Sequence, residues 1–131
     1  MITAVDTNIL IDVYFQNETF GHQSLERLED AYDKGAIVIS NVVYAELAAA
    51  IPNRVDLDRA LAISNVTTSD LNAEIAFEAG RRWHDYRQKG GPRSRIITDF
   101  LIGAHALFKA DAFLTRDRGF FGTYFPELSG N

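Results

Sequence analysis

Residues 2–13 constrain the fold more than any other stretch. They read Ile-Thr-Ala-Val, then Asp6-Thr7-Asn8, then Ile-Leu-Ile-Asp-Val. Residues 2–5 have the length and apolar character of a short buried strand, and residues 8–13 read as the first turns of a helix. An apolar run that stops at a carboxylate puts that carboxylate at the strand's C-terminal end. In open α/β sheets, ligands bind in the crevice outside those ends. Asp6 is therefore the first candidate site residue.

The rest of the chain alternates helical and strand patterns. Residues 22–34 carry Leu25, Leu28 and Tyr32 at helical spacing, and Gly35 ends them. Residues 36–40 are a short β-branched run, predicted as a strand. Ser40 or Asn41 can cap a helix over 42–51, which Pro52 stops. A short helix over 56–63 points Leu57, Ala60 and Leu61 inward, and residues 65–68 suit a third strand. The longest predicted helix spans 70–87, with Leu71, Ile75, Ala79, Trp83 and Tyr86 as its apolar stripe, and Gly90-Gly91-Pro92 breaks it. A helix over 96–109 follows, then a strand over 112–114, a polar turn over 115–118 and a helical turn over 120–125. Parallel strands joined by helical crossovers are implied. The expected fold is α/β, a three-layer sandwich whose central parallel sheet has four to five short strands flanked by helices. Buried strands should read as nearly continuous apolar runs; Ile37-Val38-Ile39 and Ala112-Phe113-Leu114 do.

At 131 residues the chain suits one domain, 1–131. It has no cysteine, which excludes disulfides and thiolate metal sites. No apolar run reaches the roughly 20 residues needed to span a bilayer. Asp6 interrupts the first apolar run and no basic segment precedes it, so no signal peptide is expected. A soluble, cytoplasmic protein with no membrane association is the expectation. The net charge of −5 is unevenly spread. Residues 81–95 hold Arg81, Arg82, Arg87, Lys89, Arg93 and Arg95 against Asp85 alone. That strip carries +5, so the remaining body carries −10.

Most of the eighteen acids lie on polar helix faces, where solvation explains them. Four sit inside apolar sequence at element boundaries: Asp6, Glu46, Asp99 and Asp117. Each has an ordinary explanation taken alone. Asp6 can cap the next helix, and Glu46 can reach water from a helix edge. Asp99 is favoured near a helix N-terminus by the dipole. Asp117 suits a turn flanked by two arginines. Jointly they are harder to dismiss. Asp6 and Asp117 directly follow strands, and Glu46 and Asp99 sit in early helical turns. A parallel sheet gathers such positions on one rim. Two unit charges about 4 Å apart repel by roughly 4 kcal/mol at an effective dielectric near 20. Such a cluster persists if cations neutralise it or if members stay protonated. All-oxygen donors favour Mg²⁺ or Mn²⁺, ions that activate water and stabilise a leaving oxygen in phosphoryl chemistry.

Around these acids the sequence resembles a PIN domain, specifically a VapC-type toxin ribonuclease. The matching motifs are Val5-Asp6-Thr7-Asn8-Ile9-Leu10, Tyr44-Ala45-Glu46-Leu47, the run from Thr98-Asp99-Phe100 to Ala106, and Leu114-Thr115-Arg116-Asp117-Arg118-Gly119-Phe120-Phe121. They occur in order across essentially the whole chain. The resemblance implies Mg²⁺- or Mn²⁺-dependent hydrolysis of RNA, a homodimer, and an antitoxin partner that blocks the site. It makes Asp6 and Asp99 the main metal ligands, with Glu46 and Asp117 completing the cluster or orienting water. Thr7, Asn8 and Thr115 are candidates to bind water or phosphate, or else serve as turn and cap residues. The family's last edge strand has little room in residues 126–131.

Arg93 and Arg95, just before the Asp99 helix, are the best-placed cations for substrate phosphates, against a solvated helix end as the alternative. Trp83 and Tyr86 can stack on bases, but their stripe position favours packing. His22, His84 and His105 lack metal-ligand spacing and are expected at the surface or in packing. Phe120, Phe121, Tyr124 and Phe125 are either core or a dimerisation patch. Two other functions compete with the nuclease: a catalytically inactive PIN-like binding module, and an aspartyl-phosphate phosphatase. The latter uses a first-strand Asp as nucleophile and usually a second acid two positions on, where this chain has Asn8.

Overall fold

The computed structural model describes residues 1–128. Its sheet has four parallel strands in the order β3-β2-β1-β4. They are β1 (Ile2–Val5), β2 (Ala36–Ser40), β3 (Val66–Ser69) and β4 (Ala112–Leu114). Among the described residues seven helices flank the sheet: α1 (Thr7–Tyr14), α2 (Gly21–Lys34), α3 (Asn41–Ala50), α4 (Arg54–Ile63), α5 (Ala73–Gln88), α6 (Ile97–Lys109) and α7 (Arg118–Tyr124). The expected α/β fold is therefore present, with four strands. Pro126–Leu128 form one 3₁₀ turn, and no fifth strand occurs among the described residues. The rest of the questioned tail, 129–131, lies outside them.

Chain order and strand order diverge at β1. The chain runs outward from β1 to β2 and β3, then returns to place β4 on the other side of β1. Registers are Ala4 beside Val38 in β2 and Val5 beside Leu114 in β4. The Asp6 N–H donates to the Leu114 carbonyl at 2.9 Å, which closes the junction. A reversal of this kind opens a crevice at the strands' C-terminal ends.

Caps decide where the sequence and the structure differ at helix ends. Ser40 caps α3, its Oγ accepting from the Val43 N–H at 3.3 Å. Asn41 serves elsewhere: it accepts from the Leu71 N–H at 2.9 Å and donates to Asp70 at 3.2 Å. Those bonds hold residues 70–71 as a turn, and Asn72 caps α5 instead, so α5 begins at Ala73 and not at 70. Asn53 likewise caps α4 and starts it at Arg54, two residues earlier than its apolar pattern suggests.

Val5, Ile9, Leu10, Ile37, Ile39, Leu47, Ile75 and Phe100 are almost wholly buried in the core. Ala112, Phe113 and Leu114 are only half-buried, contrary to the expectation of a fully buried strand, because β4 is a sheet edge. The terminal aromatics settle in the core. Phe120, Phe121 and Phe125 are buried, and Phe100 meets Phe120 edge-on at 5.4 Å between centroids, a favourable geometry. They form no exposed dimerisation patch. Arg82 fastens this end of the chain. It pairs with Glu78 at 2.7 Å and with Glu127, donates to the Tyr124 carbonyl at 3.0 Å, and lies 4.7 Å from the Phe125 ring centroid.

Gly103 makes the close approach of α6 to Phe125 possible. A Cβ there would lie 2.5 Å from the Phe125 ring, which is fully buried and has nowhere to move. Gly103→Ala is expected to lower stability by about 1–3 kcal/mol in urea unfolding, although alanine favours helix. Adding Phe125→Leu should make the double variant less destabilised than the sum of the two singles.

Candidate active site

The candidate site at the C-terminal end of β1 is built around Asp6. Asp6 follows the last residue of the central strand and is 8% exposed. Its extended backbone lets its side chain cap α1: Oδ1 accepts from the Thr7 N–H at 2.8 Å. Oδ2 accepts from the Thr115 hydroxyl at 2.7 Å. Thr115 is the first residue after β4, so its position follows directly from the β1–β4 pairing.

Two threonines connect three acids. The Thr7 hydroxyl donates to Glu46 Oε1 at 2.5 Å, and Thr115 Oγ1 accepts from the Asp117 N–H at 2.9 Å. Glu46 stands exposed on α3, not on an inward face. Burial pushes the Asp6 pKa up to about 6; the Thr115 and Thr7 hydrogen bonds oppose this, and the charges of Glu46 and Asp117 add to it. Three of the four singled-out acids thus share one electrostatic neighbourhood.

Asp99 is held differently. It is half-buried in the first turn of α6, and its Oδ2 accepts from the Ile96 N–H at 3.0 Å. Its carboxylate closes the N-terminus of its own helix, the ordinary role for an acid in that position. Arg95 lies between it and the other acids. The Arg95 guanidinium pairs with Asp117 at 2.5 Å, lies 4.3 Å from the Phe120 ring centroid, and is affected by the charge of Asp99. Arg95 is therefore partly neutralised, whereas Arg93 is exposed. Among the described residues no three acidic or histidine side chains converge as a ready ligand set. The donors around Asp6 are nonetheless all oxygen, and their mutual repulsion is only partly offset. That chemistry fits a hard divalent cation.

Asn8 accepts from the Arg116 N–H at 3.3 Å and so steadies the turn carrying Thr115 and Asp117. The larger restraint on that turn is absent from the sequence expectations. Asp12, 1% exposed, accepts from Arg116 Nε at 2.6 Å, Arg116 Nη2 at 3.1 Å and Ser24 Oγ at 2.7 Å. The Arg116 guanidinium also lies 4.0 Å from the Phe20 ring centroid. A carboxylate inside Ile-Leu-Ile-Asp-Val meets the same criterion that singled out Asp99, so the signal was present. His105 is buried on α6, burial holds its pKa below the ordinary value, and its Nε2 has no partner among the described residues. It belongs to the packing; His22 and His84 are at the surface.

Two stability experiments follow. In the folded chain Asp6 keeps its proton up to about pH 6, against an ordinary value of 3.8. Folded protein thus binds more protons between those values, and stability falls as pH rises through them. Asp6→Asn removes that dependence. Without added metal it should stabilise by about 1–3 kcal/mol at pH 8 and by almost nothing at pH 4 in parallel urea melts. Arg116→Met leaves the buried Asp12 charge without its cation and should cost about 3 kcal/mol or more. A loss much smaller than that would mean the pair is dispensable.

A family model described as the PIN domain matches residues 3–126. The chain superposes on VapBC2 from Rickettsia felis, bound to a DNA fragment from its promoter, with a TM-score of 0.71, 25% identity, and coverage of 94% of this chain and 92% of that one. VapBC-1 from nontypeable Haemophilus influenzae gives a TM-score of 0.72 at 23% identity, covering 98% and 95%. VapC20 of Mycobacterium tuberculosis, a sarcin-ricin loop cleaving toxin, gives 0.62 at 18% identity, covering 92% and 95%. No curated protein matches.

Proposed function

The chain belongs to the PIN-domain family, and from that premise we propose that it is a metal-dependent endoribonuclease acting as the toxin of a toxin–antitoxin pair. The observation that carries this proposal is the buried Asp6 carboxylate at the sheet's reversal, linked through Thr7 and Thr115 to Glu46 and Asp117. A toxin role is supported by the fold shared with VapBC assemblies. In this proposal residues 1–131 act as one cytoplasmic domain, pair as a homodimer and bind an antitoxin.

Asp6, Glu46, Asp99 and Asp117 are proposed to hold Mg²⁺ or Mn²⁺. The bound ion supplies polarisation of a phosphoryl oxygen and a more acidic attacking water. The protein's own groups prepare the site. Thr115 and Thr7 orient the Asp6 oxygens. Arg95 restrains Asp117 through their ion pair and would be the cation nearest a substrate phosphate at this rim. To serve as a ligand Asp99 would have to give up its bond to the Ile96 N–H, at a cost of about 1 kcal/mol, typical of a lost cap. An acid titrating near pH 6 also sets a pH limit, since a ligating carboxylate must be ionised.

RNA cleavage should require Mn²⁺ or Mg²⁺, stop with EDTA, and fall by at least about 100-fold in Asp6→Asn and Asp99→Asn. Calorimetric Mn²⁺ affinity should weaken about tenfold for each pH unit below 6. Equal cleavage by all variants would overturn the nuclease assignment. Absence of Mn²⁺ binding would favour an inactive binding module, a reading that the capped Asp99 geometry also suits.

A further inference from the structure

A groove of about 640 Å³ runs from the C-terminal half of α5 to the segment before α6. Trp83, Tyr86, Arg87, Pro92, Arg93 and Arg95 line it, and no acid does. The surrounding body is strongly acidic, so three arginines along one groove mark the place where a polyanion is tolerated. The floor is a built surface. The Tyr86 hydroxyl donates to the Pro92 carbonyl at 2.5 Å, and the Gly91 N–H donates to the Tyr86 carbonyl at 2.9 Å. A Cβ on Gly91 would lie 2.4 Å from the Tyr86 ring, so only glycine lets the turn lie flat on it. Trp83 packs against the core, as its stripe position predicts, yet is only half-buried, and the Arg87 guanidinium sits 4.9 Å from its ring centroid. At one end Arg95 both lines the groove and pairs with Asp117, so the groove opens onto the acidic cluster.

We propose that this groove is a nucleotide subsite for single-stranded RNA leading into the Asp6 site. An unpaired base stacks on the Trp83–Arg87 platform, and Arg93 takes an adjoining phosphate. The inference rests on the nuclease proposal and specifies where its substrate is held. An aromatic face next to cations suits an unpaired nucleotide. A duplex buries its base faces, and an acidic peptide gains nothing from an indole.

Trp83 is the chain's only tryptophan, so its fluorescence reports on this groove alone. The full chain carrying Asp6→Asn, to block cleavage, would be titrated with a short single-stranded oligoribonucleotide, an RNA duplex and a polyglutamate peptide. Single-stranded RNA should quench the fluorescence, and the other two should not. Arg87→Gln combined with Arg93→Gln should weaken binding about tenfold and flatten its salt dependence. By anisotropy of labelled RNA, Trp83→Leu should cost about tenfold in affinity. In the cleaving protein these substitutions should raise KM and leave kcat unchanged. RNA that binds without altering the fluorescence would overturn the subsite, as would equal quenching by duplex or by polyglutamate. Cleavage that depends on Asp6 while Trp83 stays silent would reject the subsite and keep the nuclease. Quenching by RNA with no cleavage by the unsubstituted chain would keep the subsite and reject the nuclease.

Discussion

A carboxylate that ends a buried strand must be compensated where it stands. Among the described residues Asp6 is held by hydroxyl and amide donors, not by a basic side chain: Thr115 takes one oxygen and the Thr7 N–H the other. Two neutral donors do not fully offset burial beside two other acids, and the raised pKa of Asp6 records the deficit. The surrounding architecture serves this residue. The pairing of β1 with β4 brings Thr115 to Asp6, and α3 brings Glu46 to Thr7. Arginines are kept one shell further out, where they hold the turn and restrain Asp117 without filling the crevice.

Two arginines near Asp117, its chain neighbour Arg116 and its ion-pair partner Arg95, do different work. Arg116 is committed to Asp12, and a buried pair of that kind is not broken lightly. Arg95 pairs with an acid that is still part-exposed, where ion pairs are weak. The first fixes the backbone of the turn; the second leaves the carboxylate beyond it free to exchange partners. Asp99 is similarly held by one backbone hydrogen bond. Rigid backbone with loosely held carboxylates suits a site that has to accommodate a cation and a phosphate.

Local signals in the sequence were strong for the strands. β1, β2 and β4 fall where apolar runs begin and end, and β3 lies within one residue of its expected place. Helix ends were less legible wherever a polar side chain bonded to a distant segment. Asn41 was open as a cap for its own helix, but its partners, Asp70 and Leu71, cannot be known from neighbouring residues. The site was partly legible. Position after a strand located Asp6 and Asp117, but rotamers decided that Asp99 faces its own helix. Asp12 carries the same signal as Asp99, an acid inside an apolar run, but its partner 104 residues away cannot be read from neighbouring sequence. Trp83 packs against the core as its stripe position indicates, but that position says which side a residue takes, not how deeply it sits.

The sheet order has a consequence for when the crevice comes into being. The opening strand is central, yet one of its two neighbours is synthesised more than a hundred residues later, since Thr115 follows Asp6 by 109 positions. A nascent chain on the ribosome can therefore lay down α1 to α6 and still lack half of the Asp6 surroundings. Whatever chemistry the crevice performs, it is withheld from the growing polypeptide until β4 and Thr115 have emerged and docked. That delay separates synthesis of most of the chain from assembly of the crevice.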